Sequence, residues 1–123
     1  MEERIVKVTI GDKEYSMLFS VRASQNISIK FGSIEKMGAA LQAESDATNQ
    51  MTTACWLLAL LIQQGQKAMS LETGKQLTAP SAEDLEFLVT PGDIPRYMEA
   101  VRECIIKGSK RVVGRNEEDS EGN

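Results

Sequence analysis

The chain of 123 residues contains no histidine. Its absence removes the commonest general base and the commonest side-chain metal ligand at neutral pH. Cysteine is nearly absent as well, with only Cys55 and Cys104. Two isolated thiols cannot build a tetrahedral zinc site without carboxylate help. Both lie among apolar residues in segments that read as helix, so buried and reduced thiols are expected, and Cys55 has no histidine to activate it as a nucleophile. Carboxylates are plentiful, but their spacing singles out no acid–base pair. Glu83, Asp84 and Glu86 read as the solvated start of a helix. Gly11 and Gly32 are isolated, whereas a phosphate-cradling loop needs a glycine-rich run between strand and helix. The expectation is a protein that is not an enzyme and uses no cofactor and no metal.

Long hydrophobic runs are also missing. The longest, Ala54 to Ile62, spans nine residues, whereas a membrane-crossing helix needs ~20. The N-terminus lacks the apolar stretch of a secretory signal, so a cytoplasmic protein is expected. Positive charge is in deficit: 14 Lys and Arg stand against 18 Asp and Glu, for a net charge of −4. That balance argues against nucleic acid and anionic membrane as partners, since both favour a clustered positive field. Lys107, Lys110, Arg111 and Arg115 gather locally, but Glu117, Glu118, Asp119 and Glu121 follow and cancel their field. Aromatics make up only 5% of the chain, and six methionines partly take their place. Methionine is unbranched and adaptable, suited to an irregular core or an accommodating surface.

What is present is strong patterning. Val6-Lys7-Val8-Thr9-Ile10 alternates with the period of a half-buried strand, and Gly11-Asp12-Lys13 supplies a turn. Tyr15, Met17, Phe19 and Val21 alternate in the predicted return strand. Helical spacing begins near Ala23, with Ile27 and Phe31 on one face and Gly32 as the stop. Ser33 caps a second helix carrying Ile34, Met37 and Leu41 on one side. Residues 42–46 read as a link, with Ser45 or Asp46 as the next cap. Met51, Ala54, Cys55, Leu58, Leu61 and Ile62 then form one continuous helical stripe. Trp56, Leu57 and Leu60 widen it, so this helix must be covered on more than one side. Gly65 and the glutamines Gln63, Gln64 and Gln66 mark its expected end.

Residues 69–80 read as a loop broken by Gly74 and Pro80. Ser81 starts a short helix with acids in its first turn, and Leu85 and Leu88 are expected to face inward. Thr90-Pro91-Gly92-Asp93 breaks it, with Asp93 as cap for a last helix. Ile94, Tyr97, Met98, Val101 and Ile105 form the stripe of that helix, and Gly108 its end. From Gly114 onward no apolar residue occurs, so a disordered tail is expected. The fold class that follows is α+β and mostly helical. A β-hairpin over 4–21 and about five helices over 22–113 make one domain, 1–113, followed by an acidic tail, 114–123.

The run Val6-Lys7-Val8-Thr9-Ile10-Gly11-Asp12-Lys13-Glu14-Tyr15, then Phe19-Ser20-Val21-Arg22-Ala23 and Lys30-Phe31-Gly32-Ser33-Ile34-Glu35-Lys36-Met37, resembles the tail assembly chaperones of long-tailed bacteriophages and prophages. The likeness covers roughly the first forty residues. Beyond them it rests on layout: an apolar central helix, further helices and a charged tail. The resemblance implies a protein of the bacterial host cytoplasm that binds the tape-measure protein, keeps it soluble and helps recruit tail-tube protein. It also implies that a longer form can arise by ribosomal frameshift. Two other classes stay open: a structural head-to-tail connector or tail-completion protein, and a cytoplasmic adaptor unrelated to phage.

A tape-measure protein is long and helical, so its chaperone needs an exposed apolar groove that accepts amphipathic helices. Met37, Met51, Leu58 and Met98 are the candidate partner-binding residues, the methionines supplying tolerance toward varied sequences. Each taken alone also suits an ordinary core position. The wide apolar surface of the third helix fits a buried central helix and a self-assembly seam equally, which leaves a homo-oligomer possible.

Overall fold

In the computed structural model, which describes residues 2–42 and 47–110, the alternating N-terminal segment forms strand β1 (Val6–Ile10), its three apolar residues buried and its two polar ones exposed. Gly11, at φ 66°, turns the chain. Strand β2 (Lys13–Met17) returns antiparallel, with Val8 opposite Tyr15 and Val6 opposite Met17. A lone hairpin is marginal in water. Here Val6, Val8, Ile10 and Met17 join the same hydrophobic core as the helices.

The return strand is shorter than its alternation suggests. It stops at Met17, and Val21 is the exposed first residue of helix α1 (Val21–Phe31). The reason is local: the Ser20 hydroxyl accepts the Ala23 N–H at 3.0 Å, and this N-cap turns the chain into helix before the alternation runs out. Gly32, at φ 98°, ends α1, and its N–H returns to the Ser28 carbonyl at 2.8 Å. Helix α2 (Ile34–Gln42) follows, its first turn capped by Ser33, whose hydroxyl accepts the Lys36 N–H at 3.0 Å.

Helix α3 (Ala47–Thr73) is 27 residues long. Leu57, Leu58, Leu61 and Ile62 are all fully buried, each contributing about 1.5–3 kcal/mol by leaving water. The cover comes from within the chain: β2, α1 and α2 pack on this helix. So do α4 (Ala82–Leu88) and α5 (Ile94–Ser109). Its over-apolar surface is therefore satisfied internally along these positions.

Gly65 does not end α3. It lies mid-helix against β2, where a Cβ would overlap the Ser16 carbonyl and lie 2.7 Å from the Met17 nitrogen. The neighbouring glutamines are not a polar helix end either. The Gln66 side chain is buried, accepting the Ser16 N–H at 2.9 Å and donating to the Thr78 carbonyl at 2.9 Å. Gln64 accepts the Ser20 hydroxyl at 2.5 Å, and the Leu61 carbonyl takes the Leu18 N–H at 3.0 Å. The bonds to the Ser16 and Leu18 N–H groups occupy backbone donors along the outer edge of β2 and just past its end, which an exposed strand would otherwise offer to other chains.

The expected loop over 69–80 is correspondingly shorter. Helix α3 ends at Thr73, and Gly74, at φ 75°, closes it with an N–H to the Ser70 carbonyl at 2.9 Å. Ser81 caps α4 through a reciprocal pair with Asp84, at 3.0 and 3.1 Å. Leu85 is buried as expected, but Leu88 is exposed, because a helix this short turns a single row of residues toward α3. A 3₁₀ turn over Pro91–Asp93 leads into α5. Asp93 makes no side-chain cap there; it approaches Arg96 instead, at 3.8 Å. Gly108 lies inside α5, where a Cβ would fall 2.6 Å from the Phe19 Cβ, so it marks a contact and not a stop. Tyr97 ties α5 to the hairpin by donating to the Thr9 carbonyl at 3.0 Å. The predicted caps Ser45 and Asp46, the boundary at 113 and the tail 114–123 lie outside the described residues.

Candidate partner-binding cleft

Helices α2 and α5 both pack on α3 and scarcely on each other. The gap between them is an apolar cleft of about 520 Å³. Its α2 wall carries Ile34, Met37 and Leu41, and its α5 wall Ile94, Met98 and Ile105, with Ala54 of α3 between them. Ile34, Met37 and Leu41 share a wall because they recur at helical spacing on one face of α2. The same periodicity brings Ile94, Met98 and Ile105 together on α5. Among the described residues, its polar groups are Gln42, Gln50 and the pair Glu99–Arg102, whose charged atoms are 3.6 Å apart.

Two of the four residues singled out in the sequence meet here. Met37 is 4% exposed and lies deep, and Met98 is half-buried and lies higher on the opposite wall. Met51 is 39% exposed but borders a neighbouring hollow of about 210 Å³ with Cys55 and Val89. Ile94 lines both hollows and stands between them. Leu58 lies outside the cleft: at 1% exposure it is core, because the elements packed around α3 cover its face.

Among the cleft residues that sequence patterning missed is Gly38. It lies within α2, a position where glycine costs about 0.5–1 kcal/mol relative to alanine. Gly65 and Gly108 repay that cost through close contacts, whereas a Cβ on Gly38 would meet nothing within 4 Å. Nothing among the described residues requires this glycine, and it opens onto the cleft. A glycine near the centre of a nine-residue helix was the signal that would have found it.

The electrostatics of the buried thiols are those of a core. Burial pushes the Cys104 thiol up to about 12, and burial followed by the nearby Glu86 charge raises that of Cys55. Both are free and protonated at neutral pH. Among the described residues, no group of three His, Cys, Asp or Glu side chains is placed to hold a metal ion. No described helix is long and apolar enough to cross a membrane. The arrangement offers an apolar trough with an adaptable methionine on each wall. No family model, curated protein or solved structure matches the chain.

Proposed function

We propose that the protein is a tail assembly chaperone whose α2–α5 cleft takes amphipathic helices of a tape-measure protein. The observation that carries this reading is the cleft itself, apolar on both walls, with Met37 and Met98 facing the same space. A trough flanked by two helices lets a third lie along them with its i, i+3, i+4 and i+7 residues inward. Methionine walls re-pack around different side chains, which a holdase for a long and varied helix needs. Assignment of the partner as a tape-measure protein rests on the N-terminal resemblance, from Val6 to Met37.

In this role the chaperone shields apolar seams of the tape-measure protein until tail-tube protein takes them over. Catalysis has no part in it. Co-expression with a long helical tape-measure protein tests the proposal. Soluble yield of that partner rises with the chaperone and falls back with Met98→Glu, which places a charge on the cleft wall. Equal aggregation with and without the chaperone would exclude the reading.

A further inference from the structure

Two helices expose large apolar side chains beside charges of opposite sign. On α1, Ile29 is 83% exposed and Val21 75%, and the helix carries Arg22 and Lys30 with no acid. Arg22 and Ile29 are seven residues apart and so lie on one face. On α4, Phe87 is 87% exposed and Leu88 56%, and the helix carries Glu83, Asp84 and Glu86 with no base. Phe87 and Leu88 also border a hollow of about 430 Å³ with Tyr15 and Pro80. One surface thus presents an apolar knob with Arg22 on its face, the other an apolar hollow with Glu83 and Asp84 on the Phe87 face. Lys30 instead lies over the Trp56 ring at 5.2 Å, and Glu86 borders the hollow beside Cys55.

We infer that these two surfaces bind each other between copies of the chain, α1 of one copy docking on α4 of the next. Charge complementarity selects the pairing: α1 against α1 and α4 against α4 would each oppose like charges, whereas α1 against α4 opposes unlike ones. Ile29 supplies the apolar group for the hollow beside Phe87. The contact joins two different patches, so it is head-to-tail, and an open array keeps one free α1 surface at one end and one free α4 surface at the other until it closes. The contact is separate from the α2–α5 cleft and does not rest on the chaperone reading. Being small, it associates weakly and responds to ionic strength.

Sedimentation velocity on the purified full chain tests it. At low salt the weight-average mass rises above 13.5 kDa with increasing concentration, and the rise weakens at high salt. Phe87→Ser and Ile29→Asp each remain monomeric, and both melt like the wild type because both positions face solvent. Mixing the two variants restores a dimer, since Phe87→Ser keeps its α1 surface and Ile29→Asp its α4 surface. A wild-type chain that stays monomeric throughout would overturn the inference. So would an associating wild type whose two variants fail to pair on mixing.

Discussion

Gly65 of α3 and Ser16 of β2 touch backbone to backbone, with no room for a side chain between them. Next to that contact, Gln66 closes on the Ser16 N–H and the Thr78 carbonyl. A helix that looks interrupted in sequence is thereby continuous, and it uses its glycine to seat the hairpin. The seat fixes β2 on α3, and with it the face that α5 shares with the hairpin through Tyr97.

Gly65→Ala should therefore be severely destabilising despite alanine's higher helix propensity. The added methyl must displace backbone and not a flexible side chain, so a loss of about 3 kcal/mol or more is expected, at or beyond the upper end of overpacking effects. Urea denaturation with far-UV circular dichroism checks it. A variant as stable as the wild type would mean that β2 does not lie on Gly65.

Gln66→Leu should cost about 1–3 kcal/mol, since it keeps most of the bulk but leaves the Ser16 N–H and the Thr78 carbonyl without this partner. Native-state hydrogen exchange gives a sharper readout. The Ser16 amide loses protection in the variant, while amides in the middle of α3 keep theirs.

Gly38→Ala should move stability and function in opposite directions. Thermal stability rises by about 0.5–1 kcal/mol, because the new methyl meets nothing among the described residues and the helix gains propensity. Partner solubilisation falls, because the methyl narrows the cleft. A gain in stability with unchanged solubilisation would place the partner elsewhere.

The pH dependence of stability at the alkaline end carries the signature of Cys104. Burial pushes its thiol up to about 12 in the folded chain, above the ordinary thiol value of 9.0. The folded state thus holds the proton more tightly, so this contribution is complete below the unfolded value and is lost as pH rises from there toward 12. Within that window stability falls by about 1.4 kcal/mol per pH unit for this group. Comparing wild type with Cys104→Ala at about pH 8 and about pH 10.5 isolates it, with the steeper loss expected in the wild type.

Much of the fold could be read from local chemistry. Ser33, Ser81 and Gly32 act where short-range rules place them, because caps and positive-φ stops depend on a few neighbouring residues. Gly65 and Gly108 misled for a physical reason. A glycine that breaks a helix and one that admits another element look alike in sequence, and only the packing of Ser16 or Phe19 against them tells the two apart. The cleft was half legible. The helical stripes named Met37 and Met98, but the same stripe logic named Leu58, which is interior. Which side of an apolar helix stays uncovered is decided by where α2 and α5 diverge, and no local pattern encodes that.

The cleft is tested most directly by the methyl resonances of the six methionines. Chain labelled at the methionine ε-methyls would be titrated with peptides spanning amphipathic segments of the proposed tape-measure partner. The account predicts that Met37 and Met98 shift together and saturably, while Met17, fully buried beneath the hairpin, stays in place. Saturable binding that leaves both cleft methyls unmoved, or no binding by any such peptide, would contradict it.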